Sequence, residues 1–209
     1  MLALKIVKLE VGNLGTNCFI VYDETSRLAA VVDPGGSADE ILRFIARESL
    51  QVEKILLTHG HADHIMAVDK VKAATGAKLY VHEADAPMLA SASLNLSGFM
   101  GQGFTVSEPD FFLRDGETVS VGSIVFQVLH TPGHTPGGVC FVAEEIAICG
   151  DTLFAESIGR TDFPGGSYKQ LIESIKTKLL CLPDQYKVLP GHGPDTTIGW
   201  ERERNPFIQ

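Results

Sequence analysis

Short apolar runs recur along this chain, and most of them end in polar turns that contain glycine. They are rich in Val, Ile, Leu and Phe, a composition typical of strands. The run at 28–32 has no polar position, which predicts a strand buried on both faces. The segments that we predict to be strands are residues 4–11, 18–22, 28–32, 55–57, 78–81, 117–121, 123–130, 139–142, 146–149 and 187–189.

Helical periodicity lies between these runs. Ser37 with Glu40 and Ser167 with Gln170 have the spacing of capping boxes, so each serine is predicted to open a helix. Asp63 could cap a third helix, which Gly76 would end. The apolar faces of these helices would be Ile41, Leu42 and Ile45; Leu171, Ile172, Ile175 and Leu179; and Ile65, Met66, Val68 and Val71.

Two further segments complete the secondary-structure prediction. A short helix is expected near residues 84–89. Residues 91–109 lack clear periodicity, which predicts a long loop that could border a site. Strands in runs with helices between them indicate an α/β chain.

Composition and charge narrow the class of protein. The 209 residues are 44% hydrophobic, which suits one large domain over 1–209 that could be built from two similar halves. A net charge of −9 argues against sequence-independent binding of nucleic acid. The four cysteines are scattered, and three of them lie in apolar runs, which indicates buried free thiols and not a disulfide framework. No signal peptide or membrane-spanning stretch is evident, so we expect a cytoplasmic protein without membrane contact.

The densest chemistry lies in one window, His59-Gly-His-Ala-Asp-His64. Imidazole and carboxylate groups are costly to bury unless they are paired or bound to metal. In an extended segment the rings of His59 and His61 point to the same side. Asp63 and His64 are adjacent and cannot both join that pair, so they suit a second cation beside the first.

Further polar residues follow other predicted strands at their C-terminal ends, where a rigid sheet can hold a site. These residues are Asp33, His134, Asp151 and His192. His82 and His130 are expected to be structural. The candidate ligands, His59, His61, Asp63, His64, His134, Asp151 and His192, offer nitrogen and oxygen without thiolate. Such a set suits zinc, iron or manganese, and it is large enough for two ions that share a carboxylate.

These motifs resemble those of the metallo-β-lactamase superfamily. Thr58-His-Gly-His-Ala-Asp-His64 is similar to its histidine motif, and His134, Asp151 and His192 lie in its remaining metal motifs, in the same order. The stretches 157–166 and 189–198 resemble the glyoxalase II group, especially its short single-domain hydrolases. The resemblance implies an αββα sandwich with a binuclear site on one edge.

The resemblance also implies a division of roles. His59, His61 and His134 would bind one metal ion, Asp63, His64 and His192 the second, and Asp151 would bridge them. A hydroxide between two divalent ions, zinc in the first instance with iron or manganese as alternatives, would attack a thioester carbonyl. Asp63 would also orient this hydroxide, and Asp33 would hold a ligand imidazole or the ligand loop in place.

The implied substrate is a small thioester linked to glutathione, such as S-lactoylglutathione. Arg160 and Phe163 are candidate substrate contacts, although Arg160 could simply pair with Asp162. Full-length glyoxalase II enzymes contact glutathione through a C-terminal helical domain. Without that domain we expect either that the loops at 91–109 and 157–168 take over this contact or that the true thioester is a different one.

Other members of the superfamily offer alternative functions. A mononuclear iron dioxygenase that acts on glutathione persulfide also carries a Gly-Arg-Thr-Asp-Phe stretch, but we expect Cys and Gln beside it where this chain has Ile158 and Pro164. A complete ligand set opposes a non-catalytic role, and the acidic charge opposes nucleic-acid processing. The absent secretion signal disfavours a β-lactamase.

Overall fold

The computed structural model describes residues 4–99, 101 and 103–208. Six strands form a first mixed sheet in sequential order. The first three strands pair antiparallel, and the third to sixth strands pair parallel. Their bounds are β1 Leu4–Val11, β2 Thr16–Asp23, β3 Leu28–Val32, β4 Gln51–Leu56, β5 Lys78–His82 and β6 Phe111–Leu113.

A second sheet and a small hairpin hold the remaining strands. Their bounds are β7 Thr118–Val121, β8 Ile124–His130, β9 Val139–Ala143, β10 Ile146–Gly150, β11 Leu153–Phe154, β12 Ser157–Ile158, β13 Lys187–Pro190 and β14 Thr196–Thr197. The sheet has the order β14-β13-β10-β9-β8-β7, and β10 and β13 run parallel. Strands β11 and β12 pair with each other as a separate hairpin.

The helices cover the outer faces of the two sheets. They are α1 Ala38–Arg47, α2 Ala62–Ile65, α3 Val68–Thr75, α4 Ala86–Leu89, α5 Tyr168–Ser174 and α6 Ile198–Arg204. Helices α1 and α3 pack on the first sheet, and α5 and α6 pack on the second. A third apolar cluster lies between the sheets. The predicted αββα sandwich is therefore confirmed.

Alternation along β2 shows how the sequence builds these layers. Phe19 and Val21 belong to the cluster between the sheets, whereas Cys18 and Ile20 face α1 and α3. Successive side chains of a strand point to opposite faces, so one strand serves two cores. All four cysteines are free thiols, and all except Cys181 are buried, as predicted.

One of the two predicted capping boxes is wrong. Ser37 adopts the left-handed conformation with φ 48°, and its Oγ accepts a hydrogen bond from the N–H of Gly12 at 3.3 Å and not from the helix. That backbone conformation turns the side chain away from the open N–H groups of α1. Ser167 does accept from the N–H of Gln170, at 3.4 Å.

Asp63 is not a helix cap either, and the helix predicted after it is broken in two. It lies in the first turn of α2, and its carboxylate meets His192. The chain breaks before α3, where the N–H of Ala67 donates to the carbonyl of Pro34 at 2.8 Å. Met66, expected on the apolar face, is 48% exposed because it lies at this break.

Other differences concern short elements. The short strands β6, β11, β12 and β14 and helix α6 are additional to the predicted elements. The predicted loop at 91–109 contains a single turn of 3₁₀-helix, Ser97–Phe99, and residues 100 and 102 lie outside the described part. Among residues 4–99, 101 and 103–208, no helix combines the length and apolar character needed to cross a bilayer.

Candidate metal centre

The seven candidate ligands meet at one edge of the two sheets. Six of them form two groups in which the donor atoms, one from each residue, lie within 4.8 Å of one another. We call His59, His61 and His134 the first group. Asp63, His64 and His192 are the second group. The first group joins the loop after β4 to the loop after β8, and the second joins α2 to the loop after β13.

Asp151 lies between the two groups, directly after β10. Its Oδ1 is 3.3 Å from Nε2 of His64, and its Oδ2 is 3.6 Å from Nε2 of His134. Oδ2 is also 3.8 Å from Nε2 of His192. The two carboxylate oxygens thus face members of both groups.

Several donor atoms in this centre have no hydrogen-bond partner. Within the described part of the chain, these buried side-chain atoms are Nε2 of His59, His61 and His64 and Oδ1 of Asp151. Leaving a buried polar atom unpaired costs roughly 1–3 kcal/mol. All four atoms belong to candidate ligands, whose donor atoms lie close enough to one another to share cations. The residues present therefore fit metal ions.

Hydrogen bonds hold the histidine rings in place from behind. Nδ1 of His134 donates to the carbonyl of Arg160 at 2.7 Å, and Nδ1 of His64 donates to Oδ2 of Asp33 at 2.9 Å. Oγ1 of Thr58 donates to Asp33, so it accepts from Nδ1 of His59 at 3.1 Å. With Nδ1 engaged in this way, each of these rings turns its Nε2 towards the centre, as metal ligation requires.

Asp33 is the hub of this support. It is buried, and its backbone is left-handed with φ 51°, an uncommon conformation outside glycine. Its carboxylate accepts from the N–H of Thr58 at 2.7 Å, from Oγ1 of Thr58 at 2.6 Å, and from His64. Asp33 also lies within reach of His59 and His64 as a possible ligand group. Because donors already engage both of its oxygens, we interpret it as an orienting residue.

The two groups differ in charge. Burial lowers the pKa of His59, and together with the neighbouring His134 it lowers the pKa of His61 to about 3, so both rings are neutral. Burial also opposes charge on His64, but Asp151, Asp63 and Asp33 raise its pKa above the ordinary value. A metal ion would therefore bind neutral His59 and His61 in the first group without displacing a proton. In the second group it would compete with a proton for His64.

Two glycines let backbone segments approach this centre closely. Gly150 has a φ of +48° and lies against Thr58, where a Cβ would overlap the hydroxyl. A Cβ on Gly191 would collide with Oδ1 of Asp151 and lie 2.8 Å from Cε1 of His64. Substitution at either position would displace a candidate ligand or its support.

A cavity of about 800 Å³ opens directly onto the ligands, and we call it the site cavity. Phe163 lines it, with its ring centroid 5.6 Å from that of His61. Arg160 also lines the cavity, but its guanidinium pairs with both oxygens of Asp162 at 2.9 and 2.7 Å. Part of the 91–109 loop borders the cavity, as predicted, through Asn95, Leu96 and Phe99.

Two supporting residues are not among the candidates predicted from the sequence. Asp85 is buried and accepts hydrogen bonds from the loops of both His61 and His134. It follows β5 as Asp33 follows β3, so the strand-end pattern could have found it. Asn17 donates to the carbonyls of Pro190 and Gly193, each at 2.9 Å, and so holds the loop of His192. No local signal marks that role.

The remaining histidines lie apart from the two groups. His82 and His130 stack with ring centroids 4.0 Å apart and an angle of 7° between their planes. Nδ1 of His82 accepts from the N–H of Ala84, and Nε2 of His130 lies 2.9 Å from the carbonyl of Pro136. These contacts agree with the structural role predicted for both.

Comparison with known proteins agrees with this geometry. Residues 11–192 match the family described as the metallo-beta-lactamase superfamily. A hydroxyacylglutathione hydrolase of Haemophilus influenzae, GloC, is 40% identical over 92% of each chain. The probable metallo-hydrolase YqgX of Bacillus subtilis is 37% identical over 98% of each chain.

Solved structures with the same fold are also similar to this chain. The BLEG-1 B3 metallo-beta-lactamase has a TM-score of 0.94 and 39% identity over 98% of this chain and 100% of its own. TTHA1623, in a di-iron-bound form, has a TM-score of 0.87 and 37% identity over 96% and 99%. ETHE1 from Myxococcus xanthus has a TM-score of 0.81 and 31% identity over 97% and 83%.

Proposed function

Because this chain belongs to the metallo-β-lactamase superfamily and is a metal-dependent hydrolase, we propose that it hydrolyses thioesters at a binuclear centre. The observation that carries the proposal is the position of Asp151 between two separate groups of donors. S-lactoylglutathione is the first substrate to test, since a relative of similar length is named a hydroxyacylglutathione hydrolase.

In this proposal the first group would hold one divalent ion, the second group another, and Asp151 would contact both. We propose zinc, with iron or manganese as alternatives. The di-iron form of a similar protein supports a centre for two ions. When bound, the ions would lower the pKa of a water molecule towards neutrality and polarise the carbonyl of the substrate.

The chain itself would orient the reactants. Oδ2 of Asp63 lies 3.1 Å from Nε2 of His192, on the inner side of the site cavity. We propose that this carboxylate accepts a hydrogen bond from the attacking water and so aims it at the carbonyl carbon. Asp33 and the carbonyl of Arg160 would keep His64 and His134 turned towards the centre. The acid product and the free thiol would leave through the open cavity.

A dioxygenase that acts on glutathione persulfide at one iron ion is the alternative function. The structure of ETHE1 is compatible with it because the fold is shared. The second group weighs against it, since a mononuclear centre does not need Asp63 and His192 as additional donors. Ile158 and Pro164 border the same cavity at positions where we expect Cys and Gln in such an enzyme.

The test combines metal analysis with a substrate panel on the purified protein. We expect two metal ions per chain and release of free thiol from S-lactoylglutathione. One iron per chain with oxygen uptake on glutathione persulfide would refute the hydrolase. Nitrocefin belongs in the panel because a structurally similar protein is named a β-lactamase.

A variant pair sharpens this test. Asp151→Ala should lose metal and nearly all turnover, while its far-ultraviolet circular dichroism stays that of the folded protein. Asp195→Ala is a matched control, because this exposed carboxylate pairs with Lys8 and does not line the site cavity. Turnover by Asp151→Ala at full metal content would contradict the bridging role.

The buried free cysteines are consistent with the cytoplasmic location that we propose.

A further inference from the structure

The site cavity has a mainly apolar wall beyond the metal ligands. The large apolar side chains come from three separate stretches of the chain, so the wall does not depend on one loop. They are Leu14, Leu96, Phe99, Phe154, Ile158 and Phe163. Leu14 is 55% exposed and Phe99 is 81% exposed at the rim. A cluster of exposed large apolar side chains usually marks a surface that a ligand covers.

The charged groups of the wall are already engaged with each other. Among the described residues that line the cavity, Arg160 is the only lysine or arginine. Its guanidinium makes two parallel hydrogen bonds to Asp162, and its Cζ lies 4.1 Å from the ring centroid of Phe163. The guanidinium of Arg160 thus pairs with Asp162 and lies against the ring of Phe163, so a substrate carboxylate would have to compete with Asp162 for it.

This arrangement is poorly matched to glutathione as the recognised group. The peptide part of glutathione carries two carboxylates, and their desolvation needs cationic partners. The cavity instead offers aromatic and aliphatic surface within contact distance of the ligand His61. An apolar group seated on Phe163 would lie beside the first group, where the carbonyl of a bound thioester must also lie.

We propose that the cavity recognises its thioester substrate through an aromatic or aliphatic acyl group and makes no use of the glutathione carboxylates. The proposal rests on the thioester hydrolase proposed above and names its substrate class. Glutathione thioesters would then be accepted as one kind of thioester among several. The thiol carrier would have little influence on rate, and the acyl group would have a large influence.

Steady-state kinetics on a panel of thioesters that varies both the acyl group and the thiol test this proposal. Lactoyl, butanoyl, hexanoyl and benzoyl groups are each joined to glutathione and to N-acetylcysteamine, which lacks the carboxylates. We expect kcat/KM to rise roughly fourfold for each methylene that the wall buries. For a given acyl group we expect the kcat/KM values of the two thioesters to agree within about threefold. A tenfold or greater preference for glutathione with every acyl group would overturn the proposal.

Variants distinguish the contribution of the apolar wall from that of the positive charge of Arg160. Phe154→Ala and Phe163→Ala should flatten the dependence of kcat/KM on acyl size. Phe111→Ala is the matched control, since this half-exposed ring stacks on Tyr80 outside the cavity. Arg160→Ala should affect both thiol series equally, because it withdraws support from Phe163. A loss confined to glutathione thioesters would instead identify Arg160 as a carboxylate anchor and overturn the proposal.

A binding measurement keeps this inference separate from the proposed reaction. Thioethers such as S-hexylglutathione and S-hexyl-N-acetylcysteamine have no carbonyl to hydrolyse, and calorimetry gives their Kd on the metal-loaded protein. We expect similar Kd values for the two thiols and tighter binding as the alkyl chain grows. Chain-length dependence without any thioester hydrolysis would refute the hydrolase alone. Hydrolysis with Kd values independent of chain length would refute the apolar recognition alone.

Discussion

Removing the carboxylate of Asp85 tests whether the two loops of the first group depend on one buried link. Oδ2 of Asp85 accepts from the N–H of Gly60 at 3.1 Å and from Oγ1 of Thr135 at 2.7 Å. Its Oδ1 accepts from the N–H of Gly137 at 2.6 Å. Gly60 separates His59 from His61, and Thr135 follows His134. One side chain thus joins the two segments that carry the first group.

The size of the effect follows from these three bonds. Asp85→Ala leaves two backbone N–H groups and one hydroxyl without their acceptor, at roughly 1–3 kcal/mol each when they stay buried. The loss is offset in part because burial itself disfavours the charged form and raises the pKa of Asp85. We therefore expect the free energy of unfolding to fall by about 3–5 kcal/mol, a large part of the stability of a domain.

The metal affinities of the two groups should show which loops have moved. We expect Asp85→Ala to lose affinity in the first group before the second, because Asp63, His64 and His192 do not contact this link. Urea unfolding of the metal-free protein measures the stability, and competitive titration with a chelator measures the two metal affinities. Asp85→Asn should lie between the wild type and Asp85→Ala, since its amide keeps one oxygen as an acceptor.

Glu201→Ala is a matched control for the loss of a buried, hydrogen-bonded carboxylate. Glu201 accepts from the N–H of Glu156, from Thr196 and from Asn205, away from both groups. Glu201→Ala should lose comparable stability and keep both metal ions. Equal metal loss in the two variants, or unchanged metal affinity in Asp85→Ala, would refute the reasoning.

Three other predictions address the bridge, the proton and the acid stability. Gly191→Ala should displace Asp151 and lower metal content while circular dichroism is unchanged; two tightly bound ions would contradict the close approach. The raised pKa of His64 means that metal must displace a proton, so affinity should increase with pH. Calorimetric metal titrations in two buffers of different ionisation enthalpy should differ, and identical enthalpies would exclude proton release. The hydroxyl and N–H of Ser123 lower the pKa of Asp23, so its contribution to stability is present above the unfolded pKa of about 4 and is lost as pH falls below it. Asp23→Asn should flatten the dependence of the urea midpoint on pH in this acid range, and an unchanged slope would contradict the assignment.

Local patterns predict most of the strands because burial along a strand is set by adjacent residues. The bounds of β1 and β3 agree with the predictions to the residue. The errors fall where distant groups intervene. Ser37 turns towards Gly12, and the helix expected after Asp63 breaks where Ala67 bonds to Pro34. No pattern within either segment contains those partners.

The sequence by itself determined the strand runs, the donor inventory and the order in which the donors follow the strand ends, and its resemblance to a known family supplied the αββα layers and the bridging role of Asp151. Tertiary structure alone decided the distances from Asp151 to the two groups, the link that Asp85 makes between two loops, and the position of the Arg160 guanidinium against Phe163. The physical reason is the separation along the chain between the residues that set each property. Strand burial and the spacing of a histidine motif are properties of neighbouring residues, whereas charge pairing, ring orientation and cavity shape depend on which distant backbone groups approach one another.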